Sequence, residues 1–265
     1  KKSENNYYLR DTYHLKSRLD RKIKSIVTKN EVVRDRMLLG ILLSIAFSRN
    51  TEHYHLITKY LKSSKPIIVK FATIAAGITS SKIFINDLLN LIEHKRHRKN
   101  AISALKNYGP KIIEVILLLD KNDEIKSNIK KFIPKIVGAF ENENSLKILV
   151  KFLDEKNSSS RLVVVKALKR IKRVDANLTV QQKVIKKYIL KESDFYRNLL
   201  EISNSLKQHI NDDLIHKTPS DIQMINASRK KLSDGLELEI LKSFKIIFNL
   251  LGLYYNDNDI EITFS

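Results

Sequence analysis

Residues 65 to 173 carry one short pattern written several times. The stretches RKNAISALKNYG (98–109), KSNIKKFIPKIV (126–137) and RLVVVKALKRIK (161–172) align on their first residues, and IVKFATIAAGIT (68–79), aligned on Val69, is a weaker fourth copy. The steps between Val69, Arg98, Lys126 and Arg161 are 29, 28 and 35 residues. Each copy sets small or branched apolar residues at the same offsets: Ala72/Ala75/Ala76, Ala101/Ala104/Leu105, Ile129/Phe132/Ile133 and Val164/Ala167/Leu168. Those offsets form one stripe on an α-helix. A second apolar stretch follows in each case: IFINDLLNLI (83–92), KIIEVILLLD (111–120) and SLKILVKFLD (145–154). Two short helices per period cannot bury their own apolar faces, so neighbouring pairs must stack, which predicts an all-α solenoid.

Composition agrees. Of 265 residues, 43% are hydrophobic, and only 6 are Gly and 4 Pro, too few breakers for turn-rich β structure. The absence of Cys excludes disulfides, thiolate zinc sites and cysteine nucleophiles. No apolar leader is visible, and the longest apolar runs, 38–47 and 112–119, fall short of the roughly 20 residues a membrane span needs. The expectation is a soluble, cytoplasmic chain. A start without Met and a stop soon after the turn-like NDND (256–259) suggest a piece of something longer.

The reading along the chain is of one helical domain, 1–265. Residues 1–62 form a degenerate end unit, 63–174 the repeats, and 175–265 a cap of long helices. Helices are expected at 5–28, with Tyr7, Tyr8 and Tyr13 packing, at 31–48, apolar nearly all round and therefore buried, and at 52–62. The third copy is read as one helix over 123–139. Pro66 suits a first helical turn, Gly109–Pro110 ends one helix and opens the next, and Asp123 and Asn157 are N-cap candidates. A long helix is expected over 178–209, a mobile loop over 209–221 and a final helix over 221–254, with Gly235 as a weak point.

The unit "basic residue, x-x-Ala, x-x-Ala-Leu, x-x-Tyr-Gly", followed by a Leu-rich helix ending in Asp, resembles a HEAT repeat. YILKESDFYRNLLEI (188–202) and LELEILKSFKIIFNLLGLYYNDNDI (236–260) resemble the helices that follow HEAT repeats in the soluble part of bacterial transporters related to the ATP/ADP translocases. The resemblance spans roughly residues 60 to 260. It implies a right-handed α-α superhelix, and a soluble region on the cytoplasmic face of the inner membrane. The transporter's membrane helices are not in this chain, so transport itself is not implied.

The formal net charge is +20. Such an excess suits solubility, nucleic acid or an anionic membrane surface. The first helices of the four copies (65–79, 95–107, 123–139, 157–173) carry a net +15, while the three second helices (81–92, 110–120, 143–154) carry 0, −1 and 0. By the resemblance, second helices line the concave face, which puts the basic surface on the convex side or its ridge. The residues expected to contact an anionic surface are Lys95, Arg96, Arg98, Lys99, Lys130, Lys131, Lys166, Lys169, Arg170 and Arg173. The expected partners are a protein, the membrane part of the chain's own full-length form, or anionic lipid. Nucleic acid is the alternative.

No catalytic constellation stands out. There is no Gly-rich phosphate loop and no G-x-S-x-G. His53 and His55 point to different sides of a helix, and His94 and His97 sit in HKRHRK, where neighbouring charge repels a cation. Glu192, Asp194, Asp212 and Asp213 read as solvated or capping, and Tyr254 and Tyr255 as anchors of the last helix. The expectation is a non-enzymatic interaction module without cofactor or metal.

Overall fold

The computed structural model describes residues 16–25, 31–122, 124–208 and 219–255, and among them the secondary structure is helical, with no strand. The expectations for Tyr7, Tyr8, Tyr13, Asp123, Asp212 and Asp213 lie outside the described residues, as does the loop expected over 209–221 as far as residue 218; its last three residues, 219–221, are helical instead. The chain divides into two compact units, Lys1–Phe132 and Ile133–Ser265. The division falls inside the third copy of the sequence pattern.

In the first unit, α1 (16–25) precedes α2 (Glu31–Ser48), α3 (Tyr54–Leu61), α4 (Pro66–Thr79), α5 (Ile85–Leu91), α6 (Lys95–Lys106), α7 (Ile112–Lys121) and α8 (Ser127–Lys130). Helix α2 buries Leu38, Ile41, Leu42, Ile45 and Ala46, but it is not buried all round as expected. Gly40, Ser44 and Phe47 share its outer face, and Phe47 is 72% exposed. Pro66 opens α4, where its missing N–H has no intrahelical acceptor to lose. The small residues of the motif let α4 and α6 approach closely: a Cβ on Gly77 would stand 2.9 Å from the Cα and Cβ of Ala104. Tyr108, just beyond α6, donates to the carbonyl of Ser81 at 2.8 Å, and the Ser80 hydroxyl donates to that of Asn107 at 3.1 Å. These bonds tie the ends of α4 and α6 together. Gly109, at φ +70°, takes the left-handed turn that leads into α7.

The third copy is not one helix. It forms α8 and then, after a break at Lys131–Phe132, α9 (Ile133–Val137), which belongs to the second unit. Pro134 explains the break. It has no N–H to give the carbonyl of Lys130, and its ring crowds that turn.

The second unit continues with α10 (Glu143–Lys151), α11 (Ser158–Val174), α12 (Gln182–Gln208) and α13 (Pro219–Tyr254). Asn142 and Asn157 cap α10 and α11, each side chain accepting from the backbone N–H three residues on, at 2.9 Å. Helix α11 runs alongside the C-terminal half of α13 in the same direction: Ser158 bonds to Glu239 at one end, and Lys172 to the carbonyl of Leu253 at the other. Gly235 lies within the 36-residue α13 without breaking it. Tyr255 does not anchor that helix in the core, since it is 53% exposed; Ile246, Leu250 and Leu253 do so instead. Among the described residues, no helix is long and apolar enough to cross a membrane.

Candidate functional site

Helix α6 begins with four cationic or imidazole side chains, Lys95, Arg96, His97 and Arg98, and has no acid in its first turn. His94, extended at φ −80° and ψ 111°, is its N-cap residue and makes no side-chain capping bond. The N–H groups of His97 and Arg98 turn back to the His94 carbonyl. A helix N-terminus carries partial positive charge, so cations here work against the backbone dipole.

Beside this turn lies an open cavity of about 460 Å³. Leu61, Val69 and Leu91 form its apolar wall, and Lys62, Ser63, His94, Lys95, Arg96 and His97 its polar side. Among the described residues, no carboxylate lines it. Lys62 pairs with Asp87 at 3.4 Å, its side chain staying 68% exposed, and Glu93, next to His94 in the chain, pairs with Lys126 at 2.7 Å. Partial burial holds the His97 imidazole below its ordinary pKa, and the charges of His94 and Arg96 add to that.

The structure sorts the residues expected to meet an anionic surface. Lys95 and Arg96 are exposed at the cavity, and Lys99 is exposed one turn further on. Arg98 is a correction. It is half-buried, its Nε donates to the Ile92 carbonyl at 2.8 Å and an Nη to that of Glu93 at 3.0 Å, and its guanidinium lies 4.3 Å from the Phe132 ring centre. It closes the end of α5, whose last carbonyls have no helical partner. Lys130 pairs with Asp120 at 2.9 Å and Arg170 with Glu141 at 3.0 Å, so neither is a bare surface charge. Lys131 is exposed, with its ammonium 5.3 Å from the Phe132 ring. Lys166, Arg170 and Arg173 are exposed along one stripe of α11, and Lys169 beside them is half-buried.

The second unit holds a cluster that composition alone did not reveal. Glu192, expected to be solvated, has a side chain only 6% exposed and is paired with Arg161, itself 12% exposed. Both carboxylate oxygens accept from Arg161, at 2.9 and 3.1 Å, and Oε1 also accepts from the Ser243 hydroxyl at 2.8 Å. The remaining Nη of Arg161 donates to the carbonyls of Glu155 and Lys156, each at 2.9 Å. A cleft of about 290 Å³ opens beside the pair, walled by Leu153, Tyr188, Phe195, Ile246 and Leu250. At its edge Asp154 accepts from Tyr188 at 2.6 Å and from Lys191 at 2.8 Å. The hydrogen bonds from Lys191 and Tyr188 hold Asp154 below the usual carboxylate range. The cluster braces α11, α12 and α13 against one another. Asp194 matches its expectation, exposed and paired with Arg197 three residues on. One sequence signal pointed to the brace: Arg161 occupies the same motif position as Arg98.

His53 bonds to Asp20 at 2.6 Å and His55 to the Glu52 carbonyl at 2.9 Å. Among the described residues no group of three His, Asp or Glu side chains is placed to hold a metal ion.

Comparison with protein-family models, with characterised proteins and with solved structures finds no match to this chain.

Proposed function

We propose that this chain is a non-enzymatic helical-repeat interaction module, HEAT-like in its paired helices, and the cytoplasmic soluble part of a nucleotide-transporter-like membrane protein. The observation that carries the module reading is the equivalence of Arg98 and Arg161. Each opens a copy of the motif, each donates to the carbonyls six and five residues upstream, and each has an aromatic ring over its guanidinium from 34 residues downstream, Phe132 and Phe195. One contact set used twice is what a repeated structural unit produces, and repeat arrays serve as extended binding surfaces. The membrane part rests on the C-terminal sequence pattern and on exposed Lys and Arg. Near anionic lipid each would contribute roughly 1 kcal/mol.

Cell fractionation of the full-length gene product tests the membrane part. The expected result is a membrane-bound protein whose module is cleaved by protease added from the cytoplasmic side. Recovery in the soluble fraction contradicts it.

A second reading is a nucleic-acid-binding repeat protein, favoured by the net charge of +20 and the exposed stripe of Lys166, Arg170 and Arg173. Binding to a labelled duplex, falling steeply with salt as counterion release requires, would support it. A flat, weak response would exclude it.

A further inference from the structure

We infer that the cavity beside the start of α6 is a binding site for a phosphate group. The inference goes beyond the module reading and does not rest on the membrane. A phosphate free in solution would fill the cavity as well as one on a lipid headgroup.

The cavity gathers Lys62, Lys95 and Arg96 with His94 and His97, and among the described residues no carboxylate lines it. Lys62 is paired with Asp87 at 3.4 Å, and the other cations of the cavity repel it and one another. Here the repulsion adds to that of the helix end, where positive side chains meet positive backbone. A conflict between local rules and the built structure marks a site whose missing partner supplies the balance. An anion does so on both counts, meeting side-chain charge and N-terminal amide N–H groups together.

Phosphate fits better than a carboxylate or halide. The guanidinium of Arg96 offers two parallel N–H donors to two oxygens of a tetrahedral anion. Lys62 and Lys95 supply point charges, and His94 and His97 supply ring N–H donors, for the other oxygens. The Ser63 hydroxyl completes a polar side of six residues facing the apolar wall of Leu61, Val69 and Leu91. At about 460 Å³ the cavity exceeds a lone phosphate, so the ligand carries a further group, and that wall gives the group an apolar surface. Lys62 is already oriented by Asp87, which keeps its ammonium near the cavity.

The test uses the whole chain and inorganic phosphate, with the ring resonances of His94 and His97 followed by NMR. Saturable shifts are expected, with a dissociation constant on the order of 1 mM or below. Chloride at equal ionic strength should not reproduce them. The Lys95→Gln/Arg96→Gln variant should bind at least about tenfold more weakly, given two lost charge-assisted bonds. The charge-matched Lys166→Gln/Arg173→Gln variant on α11 should bind as the parent does. Because Lys95 and Arg96 are exposed, the first variant should fold; Lys62→Gln provides the same readout if it does not. Vesicles of phosphatidylcholine with and without phosphatidylglycerol identify the source. If phosphate competes with vesicle binding, the site takes a headgroup. If phosphate binds and vesicle binding is unaffected, it takes a soluble phosphate. Either outcome supports the site. Shifts that never saturate, or equal losses in both charge-matched variants, would overturn it.

Discussion

Arg98 and Arg161 do the same work at equivalent places in two units. Each guanidinium reaches back to the carbonyls at the end of the preceding short helix, Ile92 and Glu93 in one case, Glu155 and Lys156 in the other. Those carbonyls lie where helical hydrogen bonding ends, so an arginine there both satisfies acceptors and meets the negative end of the helix. The two differ in what else they hold. Both have an aromatic ring over the guanidinium, but Arg161 also carries the buried carboxylate of Glu192, whereas Arg98 has no such carboxylate among the described residues.

That difference sets an order of costs. Removing one partner from a buried ion pair strands the other, at roughly 3–5 kcal/mol. Arg161→Ala and Glu192→Ala should each destabilise by about that much in urea unfolding. Arg98→Ala should cost only about 1–2 kcal/mol, from two hydrogen bonds and one ring contact. Equal costs at the two arginines would mean that the Glu192 pair adds nothing.

The glycines divide by their surroundings. A Cβ on Gly77 would meet Ala104 at 2.9 Å, and one on Gly138 would meet the Ala167 Cβ at 2.8 Å and the Pro134 carbonyl at 2.7 Å. Ala104 and Ala167 hold the same motif position, so the small-residue contact recurs as the arginine contact does. Gly77→Ala and Gly138→Ala should each destabilise by about 1–3 kcal/mol through overpacking. Gly40 and Gly235 face open space within helices, and alanine at either should stabilise by about 0.5–1 kcal/mol. Denaturant midpoints compare all four.

Tyr188 gives the fold a dependence on alkaline pH. Burial, with the hydrogen bond to Asp154, pushes its phenol from 10.0 up to about 12. The unfolded chain therefore loses this proton first. The stability it contributes is complete below pH 10 and is lost as pH rises from about 10 to about 12. Burial raises Tyr108 as well, with the same sign. Tyr188→Phe should flatten the alkaline decline in thermal midpoint without abolishing it. Asp154 works in the opposite sense. Its pKa is lowered, so its contribution is present above the ordinary value of 3.8 and is lost as pH falls below that. Lys191→Met should weaken the acid-side dependence.

Helix ends offer a smaller check. Asn142→Ala and Asn157→Ala each remove a side-chain acceptor from a first turn, and each should lower stability by about 1 kcal/mol. Lys172→Met, which removes an ammonium from the carbonyls of Leu253 and Tyr255 at the end of α13, should cost a similar or smaller amount. Thermal melts of the three variants measure this.

Most helices could be read from the sequence because apolar spacing, Pro66, Gly109 and Asn157 are local signals. The third copy misled because its apolar stripe is helical in period, while Pro134 removes a hydrogen bond that the stripe does not register. Helix α2 misled in another way. Gly40 and Ser44 leave it an outer face, although Leu and Ile dominate its composition. The basic residues were legible as charge but not as contacts. Arg98 belongs to the backbone of α5, and nothing in a list of lysines and arginines shows which of them have their donors taken. Glu192 was hidden because its partner lies 31 residues upstream, on another helix. The cavity at α6 assembles residues from α3, α4 and α5 as well, so HKRHRK showed the charge but not the hollow beside it.

The most direct measurement for the account is equilibrium binding of the chain to vesicles across a salt series. The account predicts binding to phosphatidylglycerol-containing vesicles that weakens steeply with salt, little binding to neutral phosphatidylcholine, and weaker binding when Lys95, Arg96 and Lys99 are changed to Gln. Equal affinity for neutral and anionic vesicles, or no binding to either at low salt, would contradict it.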